Sequence, residues 1–113
     1  MMFTSLIEAL QDRGRGIHGY RALAEAAYEK ARSAPEAAAY FMLAKQADDF
    51  VEFTERMPVP ARELDAMFDR ISANAQALDA AFGGNANHGG DAAAVLDVLN
   101  RIAQEAAAMR STT

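Results

Sequence analysis

The stretch Pro35–Pro60, PEAAAYFMLAKQADDFVEFTERMPVP, decides how the rest of the chain is read. A proline stands at each end, and four of the nine aromatic residues lie between them: Tyr40, Phe41, Phe50 and Phe53. Proline suits the first turn of a helix and stops a helix that reaches it, so the stretch predicts a helix over about 35–57. Ser33 and Glu36 have the spacing of a capping box at its start. At about 100° per residue, Leu43, Ala44, Ala47, Phe50, Val51, Thr54 and Met57 gather on one side with Tyr40, and Phe53 lies toward its edge. Phe41 projects instead among Lys45, Asp48 and Glu52. An apolar face this wide exceeds what one neighbouring helix covers.

Downstream, Pro58-Val59-Pro60 leaves a link of two or three residues, and a link that short turns the next helix back as an antiparallel hairpin. That helix, over about 60–82, carries Leu64, Phe68, Ile71, Ala75, Leu78 and Phe82 in strict 4,3,4,3,4 spacing with Met67 beside them. Gly83 and Gly84 end it. Residues 83–90 then read as a flexible loop, with Asp91 placed to cap a last helix over about 91–110. Ala92, Val95, Leu99, Ile102, Ala106 and Met109 form its stripe, Arg101 can pair with Asp97 or Glu105, and the tail 111–113 is expected to fray.

Upstream, Ile17, Tyr20, Ala24, Ala27 and Ala31 mark a helix over about 17–32, with Arg21 spaced to pair with Glu25. Ser5 and Glu8 give a second capping-box spacing, ahead of a short helix over about 5–13. Gly14, Gly16 and Gly19 fall between the two. Glycine weakens a helix by about 1 kcal/mol relative to alanine, so the cluster favours a break over one long kinked helix. The whole predicts an all-α fold: a single domain over 1–113, built as an antiparallel four-helix bundle with a short extra N-terminal helix.

Composition agrees with helix. Alanine fills 27 of 113 positions, against eight valines and isoleucines. With no cysteine there is no disulfide, thiolate metal site or cysteine nucleophile, and a reducing cytoplasm is the simplest home. A net charge of -5, with scattered basic residues, argues against binding to nucleic acid. No apolar run approaches the ~20 residues of a membrane span, and no basic region precedes the first apolar stretch as in a signal peptide.

The candidate chemistry is thin. His18 is the residue that a histidine phosphotransfer bundle would use, but the run His18-Gly19-Tyr20-Arg21-Ala22 opens a helix rather than lying along one. His88 falls in the glycine-rich loop. Neither histidine has a glutamate three residues before it, as di-metal bundles require. Asp48, Glu52 and Glu55 share a helical face and could offer oxygens to a hard cation, but Lys45 and Arg56 lie in reach, so a solvated face of mixed pairs is the better account. Phosphate-loop, dinucleotide and hydrolase motifs are absent, and no cofactor is called for. The reading leans away from an enzyme and toward a protein partner or homodimer. Its contact surface would be Phe41 and Phe53, or the N-terminal helix with Phe3, Leu6 and Leu10. The competing expectation is a small-ligand bundle with an apolar pocket of Tyr20, Tyr28, Tyr40, Phe50 and Met57.

Overall fold

The computed structural model describes residues 3–14, 16–83 and 92–111. Five helices follow in order: α1 (Thr4–Asp12), α2 (Ile17–Ala31), α3 (Ala37–Arg56), α4 (Ala61–Gly83) and α5 (Ala92–Ser111). The described residues are all-helical in their regular structure and contain no strand. The loop expected over 83–90 lies almost wholly outside the described residues, with His88, as do Asp91 and residues 112–113.

The turns hold the boundaries for identifiable reasons. Met57 is extended (φ -142°, ψ 140°), as a residue before proline must be. The carbonyl of Pro60 accepts from Glu63 N–H at 2.9 Å and Leu64 N–H at 3.4 Å, so this proline opens α4 as expected. Pro35, by contrast, lies in the turn before α3 and not in its first helical turn. The expected Ser33–Glu36 capping box is not made: the cap residue is Glu36, and its side chain forms no capping bond. Between α1 and α2 the break is real, with Gly14 in the left-handed region at φ +92°. Gly19 sits inside α2 for a different reason. A Cβ there would stand 2.8 Å from Leu10 Cδ1, so α1 crosses α2 where α2 has no side chain.

α3 is the shared wall of the core. It packs against α2, α4 and α5, most extensively against α2, while α1 bridges α2 and α4. Tyr40, Leu43, Ala44, Ala47, Phe50 and Val51 are buried on it, joined by Ala39, Gln46 and Asp49. The wide face seen in the sequence is therefore covered mostly by helices of the same chain. On α4, Phe68, Ile71, Ala75 and Leu78 are buried as their spacing predicts, with Leu64 and Phe82 partly buried against them. Full burial of a leucine or isoleucine stabilises by about 1.5–3 kcal/mol, so Ile71 and Leu78 are principal anchors. α5 is covered less: Ile102 and Ala106 are buried, Val98 and Leu99 only partly, and Leu96 is 57% exposed.

One tyrosine ties three helices together. The Tyr20 ring, fully buried on α2, meets Phe50 edge-on at 5.0 Å, and its hydroxyl donates to the Leu64 carbonyl of α4 at 2.9 Å. Arg21, expected to pair with Glu25, reaches across to Glu55 on α3 at 3.3 Å. Lys45 pairs with Asp49 along α3 at 3.0 Å.

Candidate functional site

Two surfaces and two buried polar clusters are the features with functional potential. The first cluster closes the N-terminal end. Phe3 is fully buried, its ring 4.6 Å from Tyr40 and 5.6 Å from Phe82. Burying that ring also buries the first amides of α1, which have no partner within the helix. Asp79 on α4 supplies it: its carboxylate accepts from Phe3 N–H at 2.8 Å, Thr4 N–H at 3.1 Å and the Thr4 hydroxyl at 2.8 Å. The cap expected from Ser5 and Glu8 is thus replaced. The cap residue is Phe3, whose side chain cannot cap, and the negative charge arrives from 75 residues away.

The second cluster joins α3, α4 and α5. Gln46 and Asn74 are 0% and 1% exposed, and buried amides must find partners. Arg101 donates to Asn74 Oδ1 through Nε at 3.1 Å and Nη2 at 2.8 Å, which turns the amide nitrogen the other way. That Nδ2 donates to Gln46 Oε1 at 3.1 Å and Glu105 Oε1 at 2.9 Å, and Gln46 Nε2 donates to the same Glu105 oxygen at 3.0 Å. Arg101 and Glu105, expected to face each other on the outside of α5, both turn to Asn74.

The first surface is a groove between α3 and α5, closed at one side by the end of α2. Phe41, Met42, Leu99 and Asn100 line its volume of about 480 Å³, and four alanines complete the wall, with no charged residue. Phe41 is 49% exposed at its edge. Leu96 stands one helical turn before Leu99 and Asn100 and so extends the same face of α5. Tyr28 flanks it: its ring meets Phe41 edge-on at 5.5 Å, and its hydroxyl donates to Asp48 Oδ2 at 3.5 Å. Desolvation first, and the Asp48 charge second, raise the Tyr28 phenol above its ordinary value.

The second surface is a cavity of about 450 Å³ at the other end of α3, where Phe50, Phe53, Glu63, Met67, Arg70 and Glu105 meet.

The candidates from the sequence fall as follows. Phe41 and Phe53 reach the two surfaces, exposed and half-buried respectively. Phe3, Leu6 and Leu10 are buried within the chain, which leaves them no outward face here. Of the proposed pocket residues, Tyr20 and Tyr40 are buried in the core, Tyr28 lies beside Phe41, and Met57 is 51% exposed; only Phe50 lines the 450 Å³ cavity. Asp48 takes the Tyr28 hydroxyl, Glu55 pairs with Arg21 and Glu52 is exposed. No three histidine or acidic side chains converge as a metal site among the described residues. His18 is exposed at the second position of α2. No helix among the described residues is long and apolar enough to cross a membrane. Comparison with protein-family models, curated proteins and solved structures finds no match to this chain.

Proposed function

We propose that the chain is a non-enzymatic, cytoplasmic interaction module that pairs with a second copy of itself through the α3–α5 groove. In this reading α2–α5 form an antiparallel four-helix bundle with α1 folded across one end. The residue pairings support those directions: Tyr20 with Phe50 and Tyr28 with Phe41 run oppositely along α2 and α3, and Phe3 spans Tyr40 and Phe82 at opposite ends of α3 and α4.

The observation that carries the self-association is an uncharged groove with half-exposed apolar side chains at its own edge. A two-fold contact is self-complementary, so one patch must carry both the projecting side chain and the hollow that receives it. Phe41 and Leu96 supply the projections, and the alanine-walled groove supplies the hollow. The chain's charge of -5 opposes association in general, which makes an uncharged strip the favoured place for it.

Light scattering tests the reading. The wild-type chain is expected to show a dimer mass at high micromolar concentration, and Phe41→Glu or Leu96→Glu to return it to monomer with helix content unchanged. A monomeric wild type, or a dimer indifferent to both substitutions, overturns the proposal.

A further inference from the structure

We infer that the cavity between the ends of α3, α4 and α5 binds a small organic cation, a primary ammonium carried on an apolar or aromatic body. Its apolar part is built from Phe50 and Phe53 on α3 and Met67 on α4. Its volume of about 450 Å³ falls within the ~300–1,000 Å³ of small-molecule sites. The charged lining groups are two carboxylates, Glu63 and Glu105, against one guanidinium, Arg70, so the lining is net negative.

Glu105 is the group that gives the site its direction. One of its oxygens is pinned by two amides, Asn74 at 2.9 Å and Gln46 at 3.0 Å, and both amides are inaccessible to solvent. Arg101 fixes the orientation of Asn74 from outside, so the two amide donors have no freedom to turn away. Among the described residues no donor engages the second oxygen, Oε2. A half-buried carboxylate held in one pose beside two phenylalanines is complementary to an ammonium: the carboxylate accepts its hydrogen bonds, and ring faces attract cations. An anionic ligand would meet two carboxylates, and a purely apolar one would leave them desolvated without compensation.

The test is calorimetric titration of the full chain with 2-phenylethylamine and with 2-phenylethanol, which share a body and differ in charge. The amine is expected to bind at least about ten-fold more tightly than the alcohol, the difference one charge-assisted hydrogen bond supplies. Glu105→Gln keeps an acceptor for both amides and is expected to abolish the preference. Phe53→Ala is expected to weaken both probes together. Should Glu105→Gln lose helix content, Glu63→Gln at the exposed mouth replaces it and is expected to reduce the preference at least two-fold. Equal binding of the two probes, binding of neither, or a preference unchanged in the carboxamide variant would overturn the assignment.

Discussion

The end of the molecule under α1 and the groove between α3 and α5 both present aromatic residues of α3, one turn apart or less, yet they are finished differently. Tyr40 at the closed end is covered by Phe3, and the polar groups that come with that ring are matched by Asp79. Phe41, the next residue along, touches the Tyr28 ring and keeps half its surface in solvent. Adjacent helical positions point about 100° apart, so the two rings serve different faces of one helix. The closed end shows what the chain does with an aromatic it needs for folding: it buries the ring and pairs the Phe3 and Thr4 amides beside it. The open face has no such completion, and that contrast is the physical basis for assigning it to a partner.

The comparison breaks most visibly at Phe3. Phe3→Ala removes a fully buried ring with two aromatic neighbours and is expected to cost about 3–5 kcal/mol in denaturant unfolding. A loss below about 1 kcal/mol would mean that α1 is not docked as described. Asp79→Ala comes next. It strips a carboxylate accepting from two amides and a hydroxyl and leaves the buried Phe3 amide unpaired, for an expected loss of about 2–3 kcal/mol. Asp79→Asn, which keeps one acceptor oxygen, is expected to lose less. Amide exchange at Phe3 and Thr4 distinguishes loss of the cap from global unfolding, because only the former frees these two sites ahead of the core.

Most of the helical framework was legible in the sequence, because proline and glycine act locally and apolar spacing reports burial directly. The helices of 35–57 and 60–82 were placed within two residues of Ala37–Arg56 and Ala61–Gly83 for that reason. The caps were not legible. Ser5–Glu8 and Ser33–Glu36 have the right spacing, but α1 takes its cap from Asp79 on another helix and α3 begins with no side-chain cap. A signal for the polar clusters was nevertheless present. Asn74 lies three residues after Ile71 and four before Leu78, Asp79 four after Ala75 and three before Phe82, and Gln46 three after Leu43 and four before Phe50. Each polar residue occupies a stripe position, where burial obliges it to find a partner. α5 shows the converse limit. Its stripe is as regular as that of α4, but regularity shows which side turns inward, not how much of it a neighbour covers.

On the open face the expected change is in assembly more than in stability. Phe41→Glu removes one half-exposed ring and its edge contact with Tyr28, so unfolding should shift by less than about 1 kcal/mol while the dimer mass is lost. The same substitution at the buried neighbour, Tyr40→Glu, places a charge in the core and should prevent folding altogether. Equal stability effects at the two positions would erase the distinction between the faces.

The finest test uses Tyr28, which flanks Phe41, and Tyr40 itself. Both phenols are raised above their ordinary value of 10.0, in each case first by desolvation, then by Asp48 for Tyr28 and by Glu36 and Asp79 for Tyr40. A raised phenol holds its proton where the unfolded chain has begun to lose its own, so the stabilisation is fully present below pH 10.0 and is lost as pH rises through the folded value. Alkaline titration followed by phenolate absorbance should therefore show late transitions that Tyr28→Phe and Tyr40→Phe each remove. Pairing across the groove desolvates Tyr28 further, because its ring lies against Phe41, and leaves Tyr40 unchanged beneath Phe3. Raising the protein concentration should move the Tyr28 transition to higher pH and the Tyr40 transition not at all. A Tyr28 titration independent of concentration, in a chain that light scattering shows to dimerise, would place the dimer contact elsewhere than on Phe41.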